Sequence, residues 1–279
     1  MIDSTADSIQ GFSLRSAPVH GSMVRMTQSL QTVLAQHHYP LVVQHTLTEA
    51  LIANLLVAST LKWQGKLIMQ YQNNGSLSLL VTQSTHQRHI TGMAKWHDPL
   101  PASPDALMNG GHLITSVLHD RRVEPDQSIV PLNQDGLTES LQDYFTRSVQ
   151  LPTKLWISGT DQAAYGVLLQ ALPSPGTAFN FDSLIAGLDE NALDFTHTNS
   201  SLLTNLLLDH ECTLYEAESV HFGCSCSLTK MQQAIVAMGE TEARLALQAT
   251  PTLVVQCDFC NDQYSFTAED VDRLFQSPE

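Results

Sequence analysis

HFGCSCSLTK (residues 221–230) and LVVQCDFCND (residues 253–262) hold four of the five cysteines in this 279-residue chain. One serine separates Cys224 from Cys226, and two residues separate Cys257 from Cys260. A tight turn of this kind offers two thiolates at once, and two such turns that converge complete a tetrahedral four-cysteine site for zinc. The interval between the pairs exceeds that of the commonest zinc ribbons and leaves room for two helices. With every position filled by protein, such a site has none left for water, which points to a structural or sensing metal rather than a hydrolytic one. Unpaired core thiols and two structural disulfides are the alternatives that these residues leave open.

The region around the cysteines reads as a unit of its own, residues 218–279. Helix signals run from Leu228 to Met238 and stop at Gly239, and a second short helix is expected around Glu242–Gln248. Pro251 opens a strand, Tyr264–Phe266 suggests another, and Thr267 with Asp270 caps a last helix. A segment of this size with few large apolar side chains rarely stabilises itself without a staple. A structural zinc supplies on the order of 10–16 kcal/mol of apparent binding energy, as much as the whole stability of an ordinary domain, about 5–15 kcal/mol.

Residues 1–173 mix strand and helix signals. HTLTEALIANLLVASTLK carries apolar residues on nearly every face and a capping-box pair, Thr46 with Glu49, so a buried helix is expected to start there. KLIMQYQ and SLSLLVTQ flank Asn73-Asn74-Gly75 as a hairpin, HQRHITGMA adds a third strand, and HLITSVLH is a further one. DGLTESLQDYFTRSV has helical spacing and stops before Pro152. Trp63 and Trp96 are read as packing residues, Gly110-Gly111 as a turn, Arg121-Arg122 as a solvated loop, and the histidines as surface or core residues. The fold class is therefore α+β: an N-terminal mixed sheet-and-helix core domain, a helical linker and a small C-terminal zinc-binding domain.

Residues 174–217 differ in composition from what precedes them, and on these residues alone they are either a separate linking stretch or two ordinary helices of one domain. Between Ser174 and Glu216 there are seven acidic residues and no Lys or Arg. Phe179, Phe181, Leu184, Ile185 and Leu188, then Leu202, Leu203, Leu206 and Leu207, fit short amphipathic helices that must lie on something apolar.

Composition excludes several classes. The net charge of −15 disfavours nucleic acid and anionic membranes as partners. From Ala217 to the C-terminus only Lys230, Arg244 and Arg273 stand against nine acidic residues, which removes a zinc-ribbon nucleic-acid binder. A dithiol oxidoreductase would start a helix at the first cysteine of its pair, whereas a strand precedes Cys257 and a turn follows it. No nucleophile is assembled with a base, so no enzyme is expected. The polar N-terminus, MIDSTADSIQGF, has no secretory pattern, and a cytoplasmic location is expected. Cys212 falls outside the four-ligand pattern and is expected to be a buried apolar thiol.

VHGSMVRM, LTEALIANLLVASTLKWQGKLIMQYQNNGSLSLLV, GLTESLQDYFTRSVQLPT and VHFGCSC, followed by CDFC, occur in an order that resembles the redox-regulated 33-kDa chaperonin (heat shock protein 33) family. His20 and Thr91 stand before Gly21 and Gly92, where that family often has arginine. The resemblance implies an ATP-independent holdase, silent when reduced and holding one zinc through Cys224, Cys226, Cys257 and Cys260. It implies that oxidants form two adjacent disulfides, Cys224–Cys226 and Cys257–Cys260, that zinc leaves, and that residues 174–217, which correspond to the family's metastable linker, unfold. Exposed apolar surface then captures unfolding clients, and oxidised molecules form homodimers. In the chain-entropy model such short loops contribute only roughly 1.5–2 kcal/mol each, so they would not replace the metal. A redox-insensitive, zinc-stabilised protein-binding module is the alternative reading.

Overall fold

The structure is a computed structural model, described here for residues 6–173, 179–188, 206–207 and 210–276. The chain forms two compact units, Met1–Gly223 and Cys224–Glu279. The division thus falls a few residues beyond the boundary at 217/218 that the sequence suggested.

In the first unit the chain runs β1 (Ser8–Leu14), β2 (Val19–Met26), α1 (Gln28–Leu34), α2 (Leu41–Ser59), β3 (Gly65–Gln72), β4 (Leu77–Thr85), β5 (His89–Trp96) and α3 (Pro104–Met108). It continues through β6 (His112–His119), β7 (Asp126–Pro131), α4 (Leu137–Tyr144) with a π turn at Phe145–Val149, β8 (Thr153–Gly159), β9 (Ala164–Ala171), α5 (Phe181–Ala186), β10 (Cys212–Ser219) and β11 (His221–Phe222). Two sheets result, ordered β10-β1-β2-β9-β8 and β11-β5-β4-β3-β6-β7. Every pairing is antiparallel except the short β11–β5 contact.

α2 packs against strands of both sheets. It is long and apolar enough to cross a membrane by length and composition, but here it is the core helix, with Leu47, Leu51, Ile52, Leu55 and Leu56 fully buried. It begins five residues before the expected capping box, directly after Pro40. The box does not form, because Thr46 Oγ1 donates instead to Val42 O at 2.8 Å and Glu49 accepts a hydrogen bond from Thr138 Oγ1 at 2.8 Å. A proline ahead of the first turn loses no helical hydrogen bond, so the helix extends back to it. Close approach of α2 to the first sheet depends on Gly166. A Cβ there would lie 2.4 Å from Ile52 Cγ2 and 2.8 Å from Leu56 Cδ1.

β9 is buried on both faces. Leu168 faces the α2 core, while Val167, Leu169 and Ala171 join a second cluster with Phe12, Leu14, Val19 and Met23. Phe181, Leu184, Leu206 and Leu207 complete that cluster, and Phe179, Ile185 and Leu188 pack at its rim. The apolar side chains of the acidic stretch, where described, therefore cover the outer face of the first sheet. α5 starts at Asn180, whose side chain accepts from Ser183 N at 3.0 Å. Leu202 and Leu203 lie outside the described residues. The stretch does not stay helical to Ala217, because Cys212–Ser219 is a strand on the edge of the first sheet, running from Leu14↔Cys212 to Ser8↔Ser219. Thr213, Leu214 and Tyr215 favour extended backbone, and the open edge of β1 gives their amides partners.

The second unit contains α6 (Leu228–Met238), α7 (Glu240–Ala249), β12 (Leu253–Gln256), β13 (Gln263–Phe266) and α8 (Ala268–Phe275). These follow the sequence reading closely, including the Thr267–Asp270 capping box. Its core is small, with Ile235, Ala243, Phe266 and Val271 buried and Met231, Leu247, Leu253, Val255, Tyr264, Leu274 and Phe275 around them.

Candidate metal centre

Two loops of the second unit bring the four sulfurs together. The first precedes α6, whose N-cap Ser227 accepts from Lys230 N. The Lys230 ammonium turns back to Ser225, between the two cysteines, donating to its carbonyl and, at 3.1 Å, to its Oγ. The second is the turn between β12 and β13, closed by Asn261 N donating to Cys257 O and Cys257 N donating to Asp262 O, both at 2.9 Å. Asn261 takes a left-handed conformation there, as asparagine tolerates.

The Sγ atoms of Cys224, Cys226, Cys257 and Cys260 all lie within 4.8 Å of one another. Cys224 and Cys257 are 3.6 Å apart, and Cys226 and Cys260 are 3.4 Å apart. A tetrahedral zinc with Zn–S bonds of about 2.3 Å has S···S edges of about 3.8 Å. The cluster is thus the size of a metal-thiolate tetrahedron, and the soft, all-sulfur donor set suits zinc rather than a hard cation. Cys257 is buried and the other three are half-buried.

The electrostatics of the four thiols differ. Burial pushes Cys224 up to about 11, with a contribution from the Cys257 thiol. Burial also pushes Cys260 up, reinforced by the neighbouring sulfurs. Cys226 goes the other way: burial opposes ionisation, but hydrogen bonds from Tyr264 and the other cysteines outweigh it and hold the thiol below its ordinary value. Tyr264 Oη donates to Cys226 Sγ at 3.3 Å, and that bond pushes the phenol up to about 12. A carboxylate oxygen of Asp262 lies 3.8 Å from the same sulfur. The arrangement therefore places one thiolate-prone sulfur among groups that release protons when a divalent metal binds.

All four cysteines singled out in the sequence meet here. Cys212 belongs to the first unit, where its thiol points to His210 O at 3.6 Å. It is half-buried rather than buried, packed at the edge of the cluster around Phe12 and Val167, and burial raises its pKa. Arg122 is not merely solvated, because it forms a two-pronged pair with Asp126 at 3.0 and 3.1 Å. Trp63 and Trp96 pack at the margin of the α2 core as expected. The sequence pattern does not mark Tyr264 or Asp262 as site residues, yet both reach Cys226. The hairpin register sets Tyr264 opposite Val255, two residues before Cys257.

Residues 7–267 match the family model described as Hsp33 protein. A 33 kDa chaperonin of Nitrosococcus oceani is 35% identical over 272 residues, covering 96% of this chain and 94% of that protein. A 33 kDa chaperonin of Chromobacterium violaceum is 33% identical over 275 residues, covering 96% and 94%. The crystal structure of a 33 kDa chaperonin (heat shock protein 33 homolog) from Thermotoga maritima superposes with a TM-score of 0.81 at 21% identity, covering 96% of this chain and 97% of that one, and shares the fold. Sequence identity along the whole chain and the matched family model place it together: the chain belongs to the Hsp33 family.

Proposed function

We propose that this chain is a redox-regulated, ATP-independent holdase chaperone, and not an enzyme, that works in the cytoplasm on unfolding client proteins. The observation that carries the reading is a four-sulfur cluster of metal-tetrahedron size in a unit whose own core is very small. Family membership supports the chaperone reading, since the relatives are named chaperonins.

In the reduced state Cys224, Cys226, Cys257 and Cys260 would hold one zinc. Bound there, zinc supplies cross-linking of the two loops and keeps the four sulfurs as thiolates. Lys230 braces the first loop and the Asn261 turn braces the second. Under oxidation Cys224 would pair with Cys226 and Cys257 with Cys260. Proximity does not select these pairs, since all six sulfur separations in a tetrahedron are alike and contacts as short as 3.4 and 3.6 Å run between the loops. Loop length selects them, because the sulfurs within each turn stay near one another when the fold loosens. Two such small loops constrain the unfolded chain little, so losing the metal would unfold the unit, loosen the 174–217 linker and expose apolar surface for clients or a second copy of the chain.

The test is zinc stoichiometry and free-thiol count before and after mild peroxide treatment, with aggregation of a heat-denatured client measured in parallel. One zinc per chain is expected, lost on oxidation together with four thiols as suppression of aggregation appears. Replacing any of the four cysteines by Ser should abolish tight zinc binding, while Cys212→Ser should keep it. Zinc retained through oxidation, with client binding already present in the reduced form, would favour a zinc-stabilised module without a switch.

A further inference from the structure

Tyr264 is not a ligand, yet its side chain is built into the site. Its backbone pairs with Val255 in the β12–β13 hairpin, its ring packs against the core of the second unit, and its hydroxyl reaches Cys226 Sγ at 3.3 Å. The Asp262 carboxylate approaches the same sulfur at 3.8 Å. Once Cys226 is a thiolate it can only accept hydrogen bonds. Tyr264 then remains a favourable partner, whereas Asp262 becomes a nearby like charge.

A donor on a metal-bound thiolate withdraws electron density from the sulfur lone pair that an oxidant must meet. We propose that Tyr264 is a positioning residue that restrains Cys226, so that its hydroxyl sets how fast this sulfur, and with it the Cys224–Cys226 half of the site, reacts with hydroperoxides. The proposal rests on the zinc-thiolate reading above. In the step it governs, the Cys226 lone pair forms an S–O bond as the peroxide O–O bond breaks and hydroxide leaves. The Cys224 thiolate then attacks the sulfenic sulfur, forming the S–S bond and displacing a second hydroxide. Two thiolates lose two electrons and one peroxide gains them.

The experiment uses the full chain, wild type and Tyr264→Phe, each loaded with divalent cobalt in place of zinc. Loss of the hydrogen bond raises the energy of the sulfur electrons, so the sulfur-to-cobalt charge-transfer band should move to lower energy. In the zinc-loaded forms, hydrogen peroxide followed by alkylation and mass spectrometry reads each cysteine separately. Tyr264→Phe should accelerate Cys226 several-fold and leave Cys257 and Cys260 at their wild-type rates. An unmoved band with unchanged Cys226 kinetics overturns the proposal. So does an equal acceleration of all four cysteines with a fall in melting temperature, which is the mark of general loosening. Should the phenylalanine variant not fold, a ring-fluorinated tyrosine at position 264 keeps the shape and strengthens the donor. It should slow Cys226, and no slowing overturns the proposal. Failure of the underlying reading looks different, because the wild type would then give no four-thiolate cobalt spectrum at all.

Discussion

Glu49 shows how a single residue can be readable in type and misread in role. Its place in the sequence suggested a capping box, but it projects from the middle of the core helix α2 and accepts from Thr138 Oγ1. Burial raises its pKa, the Thr138 hydrogen bond opposes that, and the charges of Asp105 and Glu139 add to it. A carboxyl whose folded pKa lies above its unfolded value favours the folded state most at pH below the unfolded value, about 4.3, and that contribution is lost as pH rises through the folded value. At neutral pH the ionised form therefore costs stability. Glu49→Gln keeps an oxygen for the Thr138 hydroxyl and carries no charge, so its melting temperature should exceed wild type by a few degrees at neutral pH. The difference should close as pH falls toward 4, and thermal scans at several pH values check it. The four cysteines were legible at this scale because ligand spacing is local in sequence. Tyr264 was not, because its reach to Cys226, 38 residues away, depends on how the two cysteine loops come together and not on any local pattern.

Elements bounded by strong turn chemistry were legible. The Asn73–Ser76 hairpin, the Gly239 break between α6 and α7, and the Thr267 box all carry their signal in a few adjacent residues. The strands β1, β2, β7, β8 and β9 carry no such local signal. SIQGFSL and VHGSMVRM are interrupted by glycine, and β9 is buried on both faces, so it lacks the polar-apolar alternation of a half-exposed strand. The glycine in β9 is the cause of the close fit to α2. Gly166→Ala puts a methyl group 2.4 Å from Ile52 Cγ2 and 2.8 Å from Leu56 Cδ1, both on fully buried side chains of α2. Overpacking of this kind costs about 1–3 kcal/mol. The urea midpoint of the first unit should fall accordingly, with the denaturant slope unchanged. A midpoint equal to wild type would show that α2 shifts freely on the sheet.

At the scale of the whole molecule, the family resemblance implies a loose linker leading to a metal-dependent unit, and the described part of residues 174–217 belongs to the first unit. α5 and Leu206–Leu207 lie on the outer face of the first sheet, with Phe12, Val19, Val167 and Leu169 beneath them. β10 is an edge strand tied by Arg15 to Glu211 and by the two-pronged Arg88–Glu218 pair at 2.9 and 3.1 Å. β11 adds only His221 and Phe222 to the second sheet, through His221 N donating to Arg88 O and Gly223 N to Ile90 O, and Cys224 follows at once. None of these elements is strong alone. A six-residue helix does not persist in water, and exposed ion pairs contribute about 0–1 kcal/mol each. The seven acidic residues between Ser174 and Glu216 have no Lys or Arg among them, so that stretch repels itself once it is loose. Large apolar patches are seldom left bare on a soluble monomer, and the face under α5 is lined by apolar side chains, Phe12, Val19, Val167 and Leu169 among them. Oxidation with loss of zinc should therefore deprotect the amides of 224–276 first. Those of 181–188 and 212–222 should follow, while α2 and the central strands β2, β3, β4 and β9 keep their protection. Hydrogen exchange with and without peroxide reads each segment. If 181–188 and 212–222 stay as protected as before while a heat-denatured client is held in solution, the clients are bound elsewhere and release of the linker is not the switch.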